Sequence, residues 1–310
     1  MENASYQMEW PREGLVIRCF AHDIMNYRYH WHPDEYELNI LLNGSQEYCR
    51  GTQNVLLEEG DVVLTAPGVG HGSFGQQANT TAVVLQFSAS VMRPLLKKGG
   101  IYHFPACLSN AQTRDEKRYR KVRFYASQIF EAMRQGGSYA QLTARSSLEL
   151  LLITLCTEFD PQQLNEMPED EQRRNSIRRV LTYVEQHYAE KLTLEELADY
   201  AQYNRTYIST LFKQMVGVNF HEYLTRVRFQ HALNDLALTK DGVTEIALRN
   251  GFADLKTFNA RFRATLHRTP AEYRAQLSTD RVLRADDRKF LSSEDPILCA
   301  KLQDYLQVGG

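Results

Sequence analysis

The 310-residue sequence predicts an α+β protein of two domains, an N-terminal antiparallel β-barrel with following helices and a C-terminal all-α tandem helix–turn–helix domain. Short apolar segments in residues 14–90 alternate with Gly, Pro, Asn and Asp turns, which is typical of antiparallel barrels and sandwiches. Residues 115–159 change to helical periodicity. Residues 193–216 and 243–266 repeat one pattern, an apolar helix, a tight turn and a second helix with a polar outer face.

The order of these elements predicts the domain boundaries. Two helices are expected after the barrel strands, from Arg118 to Met133 and from about Tyr139 to Phe159. Two prolines and few apolar residues follow, which is typical of a linker. We predict four segments: a barrel domain that also provides dimerisation at 1–160, a linker at 161–174, the tandem helix–turn–helix domain at 175–277 and a C-terminal tail with a short amphipathic helix at 278–310.

Composition excludes several classes of protein. The formal net charge of -2 argues against a wholly basic nucleic-acid binder. The charge is nevertheless uneven, because residues 1–174 carry 17 Lys and Arg against 21 Asp and Glu, whereas residues 175–274 carry 14 against 11. The five scattered cysteines form no C-x-x-C pair, which predicts reduced thiols. No signal peptide or bilayer-length apolar run is recognisable, so we expect a cytoplasmic protein.

Capping signals mark the start of helices in both repeated units. Thr193 and Glu196 match a capping box, and Asn204 and Asp254 stand where the second helix of each unit should be N-capped. Each second helix has an apolar stripe for the core and an outer face that suits the DNA major groove. The candidate DNA-binding residues are Arg205, Thr206, Ser209, Thr210 and Lys213 in the first unit, and Lys256, Asn259, Ala260 and Arg263 in the second.

The stretch between the units, FHEYLTRVRFQHALNDLAL, is predicted to be a rigid spacer helix. Such a spacer can hold the two second helices about one turn of DNA, roughly 34 Å, apart. The alternative is a helical bundle whose polar face is merely solvated. Residues 177–274 resemble the DNA-binding domain of AraC/XylS-type transcription regulators in LTLEELA, YISTLFKQMVGVNFHEYLTRVR, EIALRNGF, FNARFR and TPAEYR. Gln202 and His267 depart from this resemblance, since the family usually has Gly at both positions, and the first turn is expected to be strained or to differ slightly in geometry.

Histidines concentrate in two segments of the N-terminal half, HWHPDEYELNILLNG and GDVVLTAPGVGH. Residues i and i+2 of a strand share a face, so His30 and His32 point the same way. Residues on neighbouring strands can join them, and the candidate effector-binding residues are His30, His32, Glu37, Asn39 and His71. Three imidazoles and a carboxylate also suit a divalent transition metal, so His30, His32, Glu37 and His71 are an alternative metal site. A hydrogen-bonded interior is the third alternative.

The spacing from His30 to Gly44 resembles that of cupin barrels, and the sensor barrels of AraC-type regulators often retain it. This resemblance implies binding of a small-molecule effector more than metal chemistry. Aromatic walls with a few fixed polar groups suit a sugar, and the side chains that could supply them are Tyr27, Tyr29, Trp31, Tyr48 and Gln86.

A leucine stripe in the predicted helix at about 139–159 has two interpretations. Leu148, Leu151, Leu152 and Leu155 can pack against the barrel or against a second subunit, since AraC-like sensors commonly dimerise through helices after the barrel. A further stripe in the tail, formed by Leu298, Leu302, Tyr305 and Leu306, is expected to pack on its own chain.

We therefore expect a transcription regulator rather than an enzyme. Its expected partners are double-stranded DNA, a small-molecule effector, for which a carbohydrate is one candidate, and a second copy of the chain, with RNA polymerase as a further candidate. No cofactor is expected, apart from the alternative of a divalent transition metal. The alternative function is a metal-dependent cupin enzyme fused to a DNA-binding domain.

Overall fold

The computed structural model describes residues 3–23, 26–32, 34–50, 53–77, 79–92, 95–96, 101–163, 168–276 and 289–308. A β-rich N-terminal part followed by a helical C-terminal part confirms the predicted fold class. The strands are β1 (Ser5–Trp10), β2 (Leu15–Asp23), β3 (Asn26–His30), β4 (Glu35–Asn43), β5 (Ser45–Arg50), β6 (Gln53–Glu58), β7 (Val62–Thr65), β8 (His71–Gly75), β9 (Thr81–Ser88), β10 (Tyr102–His103), β11 (Gln162–Gln163) and β12 (Lys289–Phe290).

Two antiparallel sheets form the barrel. One has the strand order β1-β2-β9-β4-β7, with β12 added beside β2, and the other has the order β3-β8-β5-β6. Strand β4 is buried on both faces. Leu38, Ile40 and Leu42 face the helices that cover the first sheet. The alternate residue Leu41 packs with Tyr48 of the second sheet in the barrel interior. Glu37 shares the parity of Leu41 and therefore lies on the interior face.

Three helices cover the outer face of the first sheet, namely α1 (Lys117–Gln135), α2 (Ala140–Glu158) and α10 (Pro296–Val308). The first two confirm the helices predicted after the barrel. The predicted leucine stripe of α2 is buried against the barrel and α1 of its own chain, which decides between its two interpretations. Leu298 and Leu302 of α10 enter the same core, and Tyr305 packs against it, so the tail helix does pack on its own chain.

The C-terminal part contains α3 (Pro168–His187), α4 (Leu194–Ala201), α5 (Arg205–Val216), α6 (Phe220–Leu238), α7 (Val243–Arg249), α8 (Leu255–Leu266) and α9 (Pro270–Gln276). The two helix–turn–helix units are α4–α5 and α7–α8. Helix α6 joins them: Tyr223 and Val227 belong to the core of the first unit, and Phe229 and Leu233 belong to that of the second. The predicted spacer helix is thus a continuous element packed into both units.

The structure differs from the predicted boundaries at the linker. Helix α3 begins at Pro168, inside the segment predicted as a linker, because proline is well suited to the first turn of a helix. Strand β11 also lies in that segment and pairs with β10 of the barrel domain. Two parts of the predicted loose tail, 278–288 and 309–310, lie outside the described residues. Among the helices that are described, none combines the length and the hydropathy that crossing a membrane requires.

Candidate functional site

The second helices of the two units, α5 and α8, are here called the recognition helices. Both are N-capped as predicted: the Asn204 side chain accepts a hydrogen bond from the Tyr207 amide at 2.8 Å, and Asp254 accepts one from the Thr257 amide at 2.6 Å. The predicted capping box of α4 is also present. Such caps satisfy amides that have no partner within the helix, so they fix where each recognition helix begins.

The outer face of α5 is open to solvent. The predicted contacts Thr206, Ser209, Thr210 and Lys213 are exposed. Ile208, Leu211 and Phe212 are buried on the opposite side. Arg205 forms an ion pair with Glu195, but both side chains are more than half exposed. Such a pair contributes little stability and is readily exchanged for a phosphate or a base.

The outer face of α8 is only partly the predicted one. Lys256, Ala260 and Arg263 are exposed, whereas Asn259 is half-buried. Phe258, Phe262 and Leu266 form the buried stripe. Arg261, which sequence reasoning did not single out, donates to Glu222 of α6 at 2.9 Å and ties α8 to the spacer helix.

The turn of the first unit and the end of the second contain side chains in the left-handed conformation where the resembling family has glycine. Gln202 has φ 61° after α4, and His267 has φ 53° after α8. A side chain with a Cβ is disfavoured there, since the Cβ approaches the following carbonyl oxygen. The expected strain at the first turn is therefore present, and the second unit has an equivalent at its end.

The four predicted metal or effector ligands on the barrel converge on one point, here called the histidine cluster: His30, His32, Glu37 and His71. Strands β3 and β8 place His30 opposite His71. The Glu37 carboxylate on β4 lies close to all three imidazoles. Its oxygens are 3.7 Å from Nε2 of His30, 3.2 Å from Nε2 of His32 and 3.1 Å from Nε2 of His71. Glu37 and His71 are buried, whereas the side chains of His30 and His32 are 25% and 22% exposed.

Burial and mutual charge set the protonation of the cluster. Burial alone would raise the pKa of Glu37, but the charge of His71 and the hydrogen bonds from the imidazoles outweigh it and hold this pKa well below its usual range. Burial opposes the charge of His71, yet the Glu37 carboxylate raises the pKa of His71 above its ordinary value. Burial and the neighbouring His71 lower the pKa of His30. The cluster therefore offers an ionised carboxylate beside a neutral imidazole.

The cluster extends further into the barrel through amide side chains. Gln86 of β9 donates to Glu37 at 2.9 Å and lies 3.1 Å from Nε2 of His32. Asn39, two residues beyond Glu37 on the same face of β4, accepts a hydrogen bond from Gln46 at 3.1 Å. Gln86 is thus part of the cluster, whereas Asn39 belongs to a separate buried polar pair with Gln46.

The donor set fits a metal ion. One ligand atom from each of His30, His32, Glu37 and His71 lies within 4.8 Å of the others. Ligand atoms around an ion with bonds of about 2.1 Å are roughly 3–3.5 Å apart, so small side-chain adjustments would suffice. The same atoms provide hydrogen-bond donors and acceptors for a polar organic ligand.

Two aromatic residues predicted to line the pocket pack instead against the helical domain. Tyr29 packs in the core of the first helix–turn–helix unit, and Trp31 contacts Arg178 of α3. The alternation of a strand could have shown this, because Tyr29 and Trp31 have the opposite parity to His30 and His32. Tyr48 does lie inside, with its hydroxyl 3.0 Å from that of Thr65. The side chain of Tyr27 lies outside the described residues.

Comparisons with known proteins match both parts of the chain. A family model described as an AraC-like ligand binding domain matches residues 15–187, and one described as a helix-turn-helix domain matches residues 197–276. An uncharacterised HTH-type transcriptional regulator of Staphylococcus aureus (strain COL) is 33% identical over 135 residues, which are 43% of this chain and only 18% of that protein. The Tn10 TetD protein of Escherichia coli is 35% identical over 98 residues, 32% of this chain and 71% of that protein.

Some solved structures contain chains that are similar to this one. A Chromobacterium violaceum transcriptional regulator with an AraC-type DNA-binding domain is 25% identical with a TM-score of 0.33, covering 36% of this chain and 98% of its own. Unsaturated-fatty-acid-bound ToxT of Vibrio cholerae is 14% identical with a TM-score of 0.38, covering 90% and 98%. The two family models decide the assignment, because the ligand-binding model alone matches more than half of the chain. The chain belongs to the AraC family of transcription regulators.

Proposed function

We propose that this protein is a sequence-specific DNA-binding transcription regulator whose barrel binds a small-molecule effector. The observation that carries the DNA part is the pair of N-capped recognition helices held by the continuous helix α6. Hydroxyl, amide and basic side chains on their outer faces can bond base edges and phosphates in the major groove. The candidate contacts remain the nine residues predicted on α5 and α8.

The histidine cluster is the proposed effector site. Glu37 and Gln86 lie at its base, and the partly exposed His30 and His32 lie toward solvent, so a ligand can approach from outside. A polyhydroxylated molecule such as a sugar would match this density of donors and acceptors. Asn39 would contact a ligand that reaches further into the barrel.

Selection of DNA from a random library, followed by fluorescence anisotropy with a panel of sugars, tests both parts. We expect enrichment of one sequence, and a change in affinity with at least one sugar. The variant Glu37→Ala should lose that response and still bind DNA. Absence of any enriched sequence would contradict the DNA part, and unchanged affinity across the panel would contradict the carbohydrate effector.

A resident metal ion is the second candidate for the cluster, favoured by the convergence of its four ligand atoms. Such an ion would supply a Lewis acid or a further ligand-binding point inside the barrel. A metal-dependent enzyme fused to the DNA-binding domain would be the corresponding function. Elemental analysis of protein purified without chelator tests it: one ion per chain, lost in His71→Ala, would support the ion, and less than about a tenth would exclude it as a resident group.

We also expect a homodimer. Helix α2 leaves Leu142, Leu150 and Ile153 exposed by 44% or more, on the side opposite the buried leucine stripe. Burial of exposed apolar residues favours association of two identical faces. Light scattering should give twice the chain mass for the wild type and the single chain mass for Ile153→Asp. A wild-type monomer at micromolar concentration would contradict this face.

A further inference from the structure

The barrel contacts the helical domain through the end of β3 and the residues that follow it, the segment that contains His30 and His32. Tyr29, next to His30, is buried and donates a hydrogen bond from its hydroxyl to the carbonyl of Met215 in the last turn of α5. Trp31, next to His32, lies under the guanidinium of Arg178, 4.7 Å from its ring centroid. One face of this segment therefore holds the cluster, and the other holds the DNA-binding domain.

The ring of Tyr29 is also packed against Gly70, directly before β8, the strand that begins with His71. A Cβ on Gly70 would lie 2.5 Å from Cε1 and 2.6 Å from Cζ of Tyr29, so only glycine lets the ring approach this backbone so closely. Gly70 immediately precedes His71, which pairs with His30 across β3 and β8. Tyr29 is thus adjacent to His30 in the chain and packed against the residue that precedes His71. Movement of either histidine would therefore move the backbone on which the Tyr29 ring is packed.

The carbonyls at the end of α5 have no partner within the helix, and the barrel provides partners for them. Besides the bond from Tyr29 to Met215, the Asn54 side chain donates to the carbonyl of Gly217 at 3.4 Å. The position of the first recognition helix is therefore fixed at its C-terminal end by barrel side chains.

A charged network makes a second connection. Arg226 of α6 binds both carboxylate oxygens of Glu47 on β5 at 3.0 Å, with its guanidinium 4.1 Å from the ring centroid of Phe74 on β8. Arg226 also donates to Glu222 at 2.6 Å, and Glu222 accepts from Arg261 of α8. This network anchors the spacer helix to the barrel, whereas Tyr29 contacts the backbone beside His71 and α5 itself.

We propose that Tyr29 is the positioning residue through which the state of the histidine cluster sets the order of the first recognition helix. A ligand that displaces His30 or His71 changes the support of the Tyr29 ring and thereby the bond to Met215. The inference rests on the proposed function in taking the cluster as the ligand site and α5 as a DNA-contacting helix. A ligand shifts the equilibrium between two such arrangements only by its differential affinity for them.

Hydrogen–deuterium exchange of the full chain, without DNA or effector, tests this coupling. The probe is Glu37→Gln, which removes the charge at the centre of the cluster. We expect amides 213–217 to exchange about fivefold faster. The matched control is Asp61→Asn, a fully buried barrel carboxylate bonded to Ser109 and Arg114 away from this interface, which should leave those amides unchanged.

A double-mutant cycle separates transmission from general loosening. Tyr29→Phe should itself speed exchange at 213–217, and adding Glu37→Gln should then have little further effect. Should Glu37→Gln prevent folding, Gly70→Ala displaces the ring with the cluster side chains intact, and Gly242→Ala is its control because an added Cβ there meets no atom within 4 Å. The proposal would be overturned if Glu37→Gln and Asp61→Asn accelerated exchange of amides 213–217 equally. It would also be overturned if Glu37→Gln accelerated this exchange as much in the Tyr29→Phe background as in the wild type. Since no DNA is present, failure of the proposed function in the operator experiment is a separate outcome.

Discussion

The two helix–turn–helix units share one sequence pattern but pack against different parts of the molecule. The core of the first unit includes Tyr29, Cys49 and Phe74 of the barrel. Among the described residues, the core of the second is built from α6 to α9 and the turn that precedes α8. The first unit is therefore held by the sensor domain directly, and the second is held through α6. Repetition in sequence does not make the two units mechanically equivalent.

The outer faces differ as well. On α5, three of the five exposed predicted contacts are hydroxyl residues, and the other two are the cations Arg205 and Lys213. On α8 the exposed contacts are two cations and Ala260. Hydroxyl groups can bond base edges as well as phosphates, and the three on α5 have no equivalent among the exposed predicted contacts of α8. We infer that the first unit discriminates sequence and the second contributes affinity.

The largest expected effect concerns the anchor between the barrel and α6. Arg226→Ala leaves Glu47 and Glu222 without their buried cation, and breaking a buried ion pair costs about 3 kcal/mol. Urea unfolding followed by circular dichroism should show this loss in the transition of the helical domain. If both units were held independently of the barrel, the loss would be far smaller.

The matched control for the anchor is Arg249→Ala in the second unit. Arg249 pairs with Asp235 and Asp241, but its side chain is 44% exposed. Exposed ion pairs are screened by solvent and contribute little. We expect a much smaller change in unfolding free energy than for Arg226→Ala, and equal changes would contradict the importance of the barrel contact.

The next effect concerns base discrimination by the first unit. Arg205→Ala removes a side chain that can exchange its pairing with Glu195 for a base edge. Loss of an arginine–guanine contact costs about 1–3 kcal/mol and relaxes preference at one position. Anisotropy with single-base operator variants measures both quantities. Uniform weakening on all variants would mean that Arg205 contacts only phosphate.

A smaller effect is expected in the second unit. Arg263→Ala should weaken binding to every DNA sequence by a similar factor, because the residue is assigned to the backbone. The slope of log affinity against log salt should fall by about one unit. A changed sequence preference with an unaltered slope would reverse the roles assigned to the two units.

Local patterns predicted much of this architecture. Strand rhythm, helical periodicity and capping residues such as Asn204 and Asp254 depend on near neighbours, so the elements they predicted are present. The i and i+2 spacing of His30 and His32 likewise predicted convergence with Glu37 and His71. The prolines and charges of residues 161–174 predicted a linker, and the structure shows that helix α3 begins within this segment, at Pro168.

What the sequence could not predict is the contact between the two domains. Glu47 and Arg226 are 179 positions apart, and nothing in the pattern around either one indicates a partner. The leucine stripe of α2 was also undecided, because an apolar face has the same pattern whether it covers a barrel or a second subunit. Such pairings depend on the packing of whole domains, to which local periodicity is insensitive.

The smallest effects come from the turns, where the two units are complementary. The first has Gln202 after its first helix and Gly217 after its second, and the second has Gly251 and His267, all with positive φ. His267→Gly should raise stability by up to about 1 kcal/mol, since relief of left-handed strain exceeds the entropy that glycine adds to the unfolded chain. Gly217→His should cost more than this gain in thermal unfolding, because the carbonyl of Gly217 also contacts Asn54 of the barrel. Equal and opposite shifts would mean that the barrel does not constrain the end of α5.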